Sequence, residues 1–219
     1  MKWFSIVIIT IAILGVIIIS SQFTGIFRDE TPSPVHLKIL AVNDFHGHLF
    51  SGQDLHNHTA GGAPFLASSL KKVMNSSGYD TVILALTGDT VGASPRSSAL
   101  LKDEPTILFF NTFVDETFME REDKQHDSCN VISIPGNHEF NNGLDDLFRR
   151  VKGGNGSPGI PHIVDPYPGM GADVICANVV WKANETPIFP PYTIRYIEGV
   201  PVAFIGAVTI ETPILELPM

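Results

Sequence analysis

No stripe of Lys or Arg runs anywhere through the 219 residues; 14 basic side chains face 23 acidic ones, for a formal net charge of −9. That scarcity excludes a nucleic-acid polymer held by charge. A small anionic substrate stays accessible only if a metal ion lies between it and the protein. Cysteine is equally scarce, with Cys129 and Cys176 alone. Their spacing does not say whether they pair, and Cys176 reads as a small buried residue. There is no internal repeat. Four N-x-Ser/Thr sequons, at Asn57, Asn75, Asn155 and Asn184, are glycan acceptors only in a host that modifies exported chains.

Charge is also missing from the N-terminus. "MKWFSIVIITIAILGVIIISSQF", residues 1–23, has one Lys before an apolar run from Trp3 to Ile19. Its length falls between a signal-peptide core and a short span, and only Ser20 and Ser21 approach a small-x-small cleavage pattern. The segment is therefore expected to be a signal anchor, the alternative being a cleaved signal peptide. Lys2 favours an N-inside orientation. The expected location is exported and membrane-anchored on the outer face, extracellular or periplasmic, or secreted if cleavage occurs. Residues 24–36, with two prolines, read as a linker.

From residue 37 to 219 short apolar runs alternate with helical patterns. "LKILAV", "TVILALT" and "NVISI" read as buried strands; "GGAPFLASSLKKVM" and "GLDDLFRRVK" read as helices. One or two helices are expected between about Ser97 and Glu120. "ADVICANV", "YTIRYI" and "VPVAFIGAV" read as further strands, and "KGGNGSPGIPHIVDPYPGMG" as a long surface loop. The expected fold class is α/β, a mainly parallel sheet flanked by helices.

Each of the first three strands runs straight into residues able to hold a metal. Strand one ends in "NDFHGH" with Asp44 and His46, strand two in "GDTVG" with Asp89, and strand three in "GNHE" with Asn137 and His138. The carboxyl ends of parallel strands share one edge, where ligands bind. Carboxylate, imidazole and amide oxygen together suit a divalent first-row ion such as zinc, manganese, iron or cobalt. His48 is a candidate for the site's rim. His56 and His58 have H-x-H spacing but read as a solvated loop.

With "ILAVNDFHGHL", "GGAPFLASSL", "LTGDTVGASP", "GNHEFNNGLD" and "VAFIGAVTIETP", the chain resembles the calcineurin-like metallophosphoesterases, and within them the exported 5'-nucleotidases. The resemblance implies a two-sheet sandwich between helix layers and two divalent ions. It further implies that Asp44 and His46 hold the first ion, Asp89 bridges, and Asn137 holds the second. His138 then contacts the phosphoryl group, so Asn137 and His138 together meet substrate. The substrate implied is a nucleoside monophosphate, cleaved to nucleoside and phosphate.

Two departures qualify the resemblance. Asn141 stands where the family usually has Asp, three residues after the His. Asn orients the imidazole but brings no charge, and some relatives that cleave cyclic nucleotide phosphodiesters resemble this "GNHEFN" form. Asn141→Asp is expected to move the acid limb of a pH–rate profile upward; an unchanged profile would remove Asn141 from the mechanism. The family also completes its metal shell with a later His and a Gly-His-x-His motif, neither of which precedes Met219. The expectation is a chain truncated before the fold's second half, with an incomplete second metal site and an exposed apolar sheet face. Such a chain either hydrolyses phosphoesters or is a non-catalytic, tethered metal- or nucleotide-binding fragment awaiting a separately encoded C-terminal half.

Overall fold

The computed structural model describes residues 33–52, 54–55, 57–115, 129–155 and 163–212. The apolar run at 3–19 lies outside them, as do His56, His126 and His162. No helix among the described residues is long and apolar enough to cross a membrane.

The unit beginning at Val35 is organised by a four-stranded parallel sheet. Its strands are β1 (Leu37–Val42), β4 (Thr81–Leu86), β5 (Val131–Ser133) and β6 (Asp173–Val174), side by side in that order. Between β1 and β4 come the two-residue strands β2 (Asp54–Leu55) and β3 (His58–Thr59), paired antiparallel, and helix α1 (Ala63–Met74). Helices α2 (Arg96–Ala99) and α3 (Glu104–Asn111) follow β4, and α4 (Gly143–Lys152) follows β5. The chain then forms the antiparallel hairpin β7 (Tyr192–Ile197) and β8 (Val200–Ile205). Glu198 and Gly199 both have positive φ (48° and 81°) at its two-residue turn. That matches the twist a tight hairpin needs.

After Thr81, β4 is wholly apolar because both its faces are covered. Leu84 and Leu86 join Val131, Leu70 of α1 and Ile107 and Phe110 of α3 in the larger core. On the opposite face Ile83, Ile132 and Ile175 pack together, with Phe204 of β8 against them. β1 pairs with β4 so that Ile39 lies beside Ile83. It stands at the sheet's edge, and Ile39 is 52% exposed.

One expectation needs correcting. "ADVICANV" forms only a two-residue strand, since Cys176 donates its backbone N–H to Pro190 O (2.9 Å) and Ala177 to Gly206 O (2.8 Å), outside the parallel ladder. The one or two helices expected from about Ser97 are present as α2 and α3, the latter ending at Asn111, and residues 116–128 lie outside the described set. Both cysteines are free and buried, and burial pushes both thiols up. Neither is an activated thiolate.

Candidate metal centre

The ladder does not stop where the strands do. Beyond them, Thr87 N–H donates to Val42 O (2.9 Å), Asp44 N–H to Gly88 O (3.2 Å), His46 N–H to Asp89 O (2.9 Å) and Ile134 N–H to Leu86 O (2.8 Å). The loops after β1, β4 and β5 therefore stay in register at one edge. Two glycines permit their approach: a Cβ on Gly88 would come within 2.9 Å of Gly136 Cα, and one on Gly136 within 2.6 Å of Asp89 N.

The order D-F-H has a local logic. Phe45 is pinned below against Phe109 and Phe110, with ring centroids 5.7 and 5.2 Å away. Asp44 and His46 flank it, and both adopt left-handed backbone (φ 51° and 45°), as does Asp89 (φ 51°). Such conformations cost about 1–3 kcal/mol each and persist only where the surroundings over-determine them. Here the continued ladder and the half-buried Phe45, packed on Phe109 and Phe110, supply that constraint.

His46, Asp89 and His138 each present a ligand atom within 4.8 Å of the others. His46 Nδ1 lies 2.8 Å from Gly92 O. A carbonyl only accepts, so Nδ1 carries the ring proton and Nε2 keeps the lone pair a cation would use. Asp44 Oδ1 is 3.8 Å from that Nε2, and Asn43 Nδ2 donates to the other Asp44 oxygen. Asp89 Oδ1 accepts the His138 backbone N–H at 2.9 Å. The two imidazoles meet edge to face, centroids 4.8 Å apart. Asn137 heads the 3-10 turn His138–Phe140. Asn141 Nδ2 sits 3.0 Å from His138 Nδ1. The donors are oxygen and imidazole with one nitrogen already oriented, a set that fits a divalent cation.

Other histidines stay apart from this grouping: His58 is exposed on β3, and His36 donates its backbone N–H to Asp80 Oδ2 (2.6 Å). His48 follows the first motif and is half-buried, its backbone N–H on Phe45 O (3.0 Å).

One residue that ties the site's loops together was not among the sequence candidates. Glu139, 5% exposed, gathers the N–H groups of two loops in its carboxylate. Oε2 accepts from Asp89 N (2.9 Å) and Gly136 N (2.6 Å); Oε1 accepts from Thr90 N and Thr90 Oγ1 (both 2.8 Å). The available signal was an acid placed between a metal-competent His and an apolar Phe140, in a turn bounded by glycines.

A family model described as calcineurin-like phosphoesterase matches residues 37–188, the segment that carries all of these loops. The chain belongs to that family. Among curated relatives it is 35% identical to the cell wall protein Lmo0130 of Listeria monocytogenes over 91% of its length. It is 33% identical to the endonuclease YhcR of Bacillus subtilis over 90%. It spans only 25% and 15% of those two proteins. Among solved structures, the NAD nucleotidase of Haemophilus influenzae aligns over 82% of this chain and 27% of its own, with TM-score 0.56 and 22% identity. A 5'-nucleotidase precursor from Thermus thermophilus aligns over 81% and 29%, with TM-score 0.52 and 20% identity. At these identities the structural likeness establishes the fold: the α/β architecture of the metallophosphoesterases, about a quarter of each full-length neighbour. Family membership makes a hydrolase with divalent metal the starting point for function.

Proposed function

We propose that this chain carries metal-binding residues of an exported, dinuclear-metal phosphoester hydrolase acting on nucleotides, with nucleoside monophosphates as substrate. The convergence of His46, Asp89 and His138, with His46 Nε2 held ready by Gly92 O, carries the reading. Asp44 and His46 would hold one ion and Asn137 the other, with Asp89 available to both. Divalent ions in such a site supply positive charge to phosphate oxygens and acidify water.

The remaining work falls to side chains of this chain. An amide nitrogen beside His138 Nδ1 donates to it and leaves the ring proton on Nε2. That N–H donates to a non-bridging phosphoryl oxygen, where charge grows during in-line attack by water. The attacking water loses a proton, the P–O ester bond breaks, and the leaving nucleoside oxygen takes a proton up. Asn141 and the Asp89 carboxylate fix the ring and its backbone, so little reorganisation accompanies the step.

Location outside the cytoplasm is supported by the apolar N-terminal run and the cell-wall relative. A second reading, phosphodiester cleavage, is favoured by Asn141 in place of Asp and by the endonuclease relative. The low basic content argues for cyclic or short diesters rather than a polymer held by charge.

Calorimetric titration of the full chain with Mn²⁺ or Zn²⁺, followed by assays on AMP, 2',3'-cyclic AMP and bis(p-nitrophenyl) phosphate, tests this. Two tightly held ions with AMP turnover abolished by EDTA is the expected result. Preference for the diesters selects the second reading. Weak binding of a single ion without turnover makes the chain a non-catalytic metal-binding module.

A further inference from the structure

We propose that Arg150, on α4 and outside the metal centre, is the positioning residue that holds the metal-bearing loops together from beneath. It is 2% exposed, among the largest fully buried side chains. Burying a guanidinium brings little net stability even when it is paired, so its placement calls for another reason. Arg150 Nη2 donates to the backbone carbonyl of Glu139 at 2.7 Å. Glu139 is the residue whose carboxylate binds the Asp89 and Gly136 loops to each other. At the other end of the fork, Arg150 Nη1 lies 3.9 Å from Asp103 Oδ2.

Asp103 reaches the loop after β4 at Gly92. Its Oδ1 accepts the Ser98 hydroxyl at 2.7 Å and its Oδ2 accepts Gly92 N–H at 3.4 Å. Gly92 O in turn accepts from His46 Nδ1. One planar cation thus hydrogen-bonds to a relay that ends at Asp89 and Gly136 and stands at ion-pair distance from another that ends at His46. Asp146, one turn earlier on α4, places Oδ2 3.3 Å from Arg150 Nη2 and steadies the side chain. Lysine would keep the charge but not the fork, because an ammonium is a point donor.

Arg150→Lys in the full chain tests the assignment, with Asp103 and Asp146 still facing a cation. Without metal, amide exchange at Asp89, Thr90 and Gly136 is expected to quicken about tenfold, while Leu84 and Val131 in the sheet hold their rates. Mn²⁺ affinity is expected to fall about 10- to 100-fold, the usual cost of losing an outer-shell partner. Equal acceleration at all five amides means a purely structural arginine and overturns the proposal; so do unchanged rates at the three loop amides.

Should the variant fail to fold, native-state exchange of the wild type in sub-denaturing urea decides. Loop amides that open together with those of α4 support the link; independent opening refutes it. The affinity arm rests on the metal reading above, but the exchange arm does not. Wild-type protein that takes no Mn²⁺ defeats that reading and leaves the loop-positioning result standing.

Discussion

Glu139→Gln is expected to lower the unfolding free energy by about 2–4 kcal/mol, on the order of one or two buried donors losing an ionised acceptor. The carboxylate receives N–H groups from Asp89, Thr90 and Gly136 and the Thr90 hydroxyl. A glutamine keeps the shape but turns one oxygen into an NH₂ that faces donors. One loop must then move, and Asp89 moves with it. Urea denaturation of the full chain should show a lower midpoint at unchanged slope. Metal affinity, measured on the folded protein, should fall in the same variant. A shift below about 0.5 kcal/mol, typical of an uninvolved surface site, would mean the loops hold together without this carboxylate.

The second large effect concerns the hairpin. Arg195, on β7, donates from Nη2 to Asp173 Oδ2 (2.5 Å), from Nε to Cys129 O (2.7 Å) and from Nη1 to Thr193 Oγ1 (2.6 Å). Both charged residues are buried. They join the hairpin to β6 at the far side of the sheet from β1. Arg195→Met removes the guanidinium from the buried Asp173 carboxylate and is expected to cost about 3–5 kcal/mol. Arg195→Met combined with Asp173→Leu should recover most of that loss, because no charge is then left without its partner. A double-mutant cycle by chemical denaturation measures the coupling. Additive losses would show that the two side chains do not act as a pair.

Much of the site was legible in the order of the residues. β1 (Leu37–Val42) and β7 (Tyr192–Ile197) coincide with the runs "LKILAV" and "YTIRYI", and α4 with "GLDDLFRRVK". A buried strand or an amphipathic helix writes its own period into neighbouring residues, so it can be read locally. The motifs after β1, β4 and β5 could be placed at one edge for the same reason, since parallel strands put their carboxyl ends on the same side. The gathering of His46, Asp89 and His138 agrees with that placement.

"ADVICANV" misled because its apolar character comes from packing rather than pairing. Cys176 sits in the core with Leu147 and Phe189, beyond the two residues that pair with β5. The sequence alone determined the order of elements, the acidic balance, the family motifs and the residues able to take a cation. Only the tertiary structure decided that Glu139 binds two loops, that Arg150 reaches Glu139 and Asp103 at once, and that Arg195 finds Asp173. These are contacts between groups 11 to 50 positions apart. No local pattern encodes them, because buried charges choose partners by where the fold brings them, and the cost of leaving one unpaired fixes that choice.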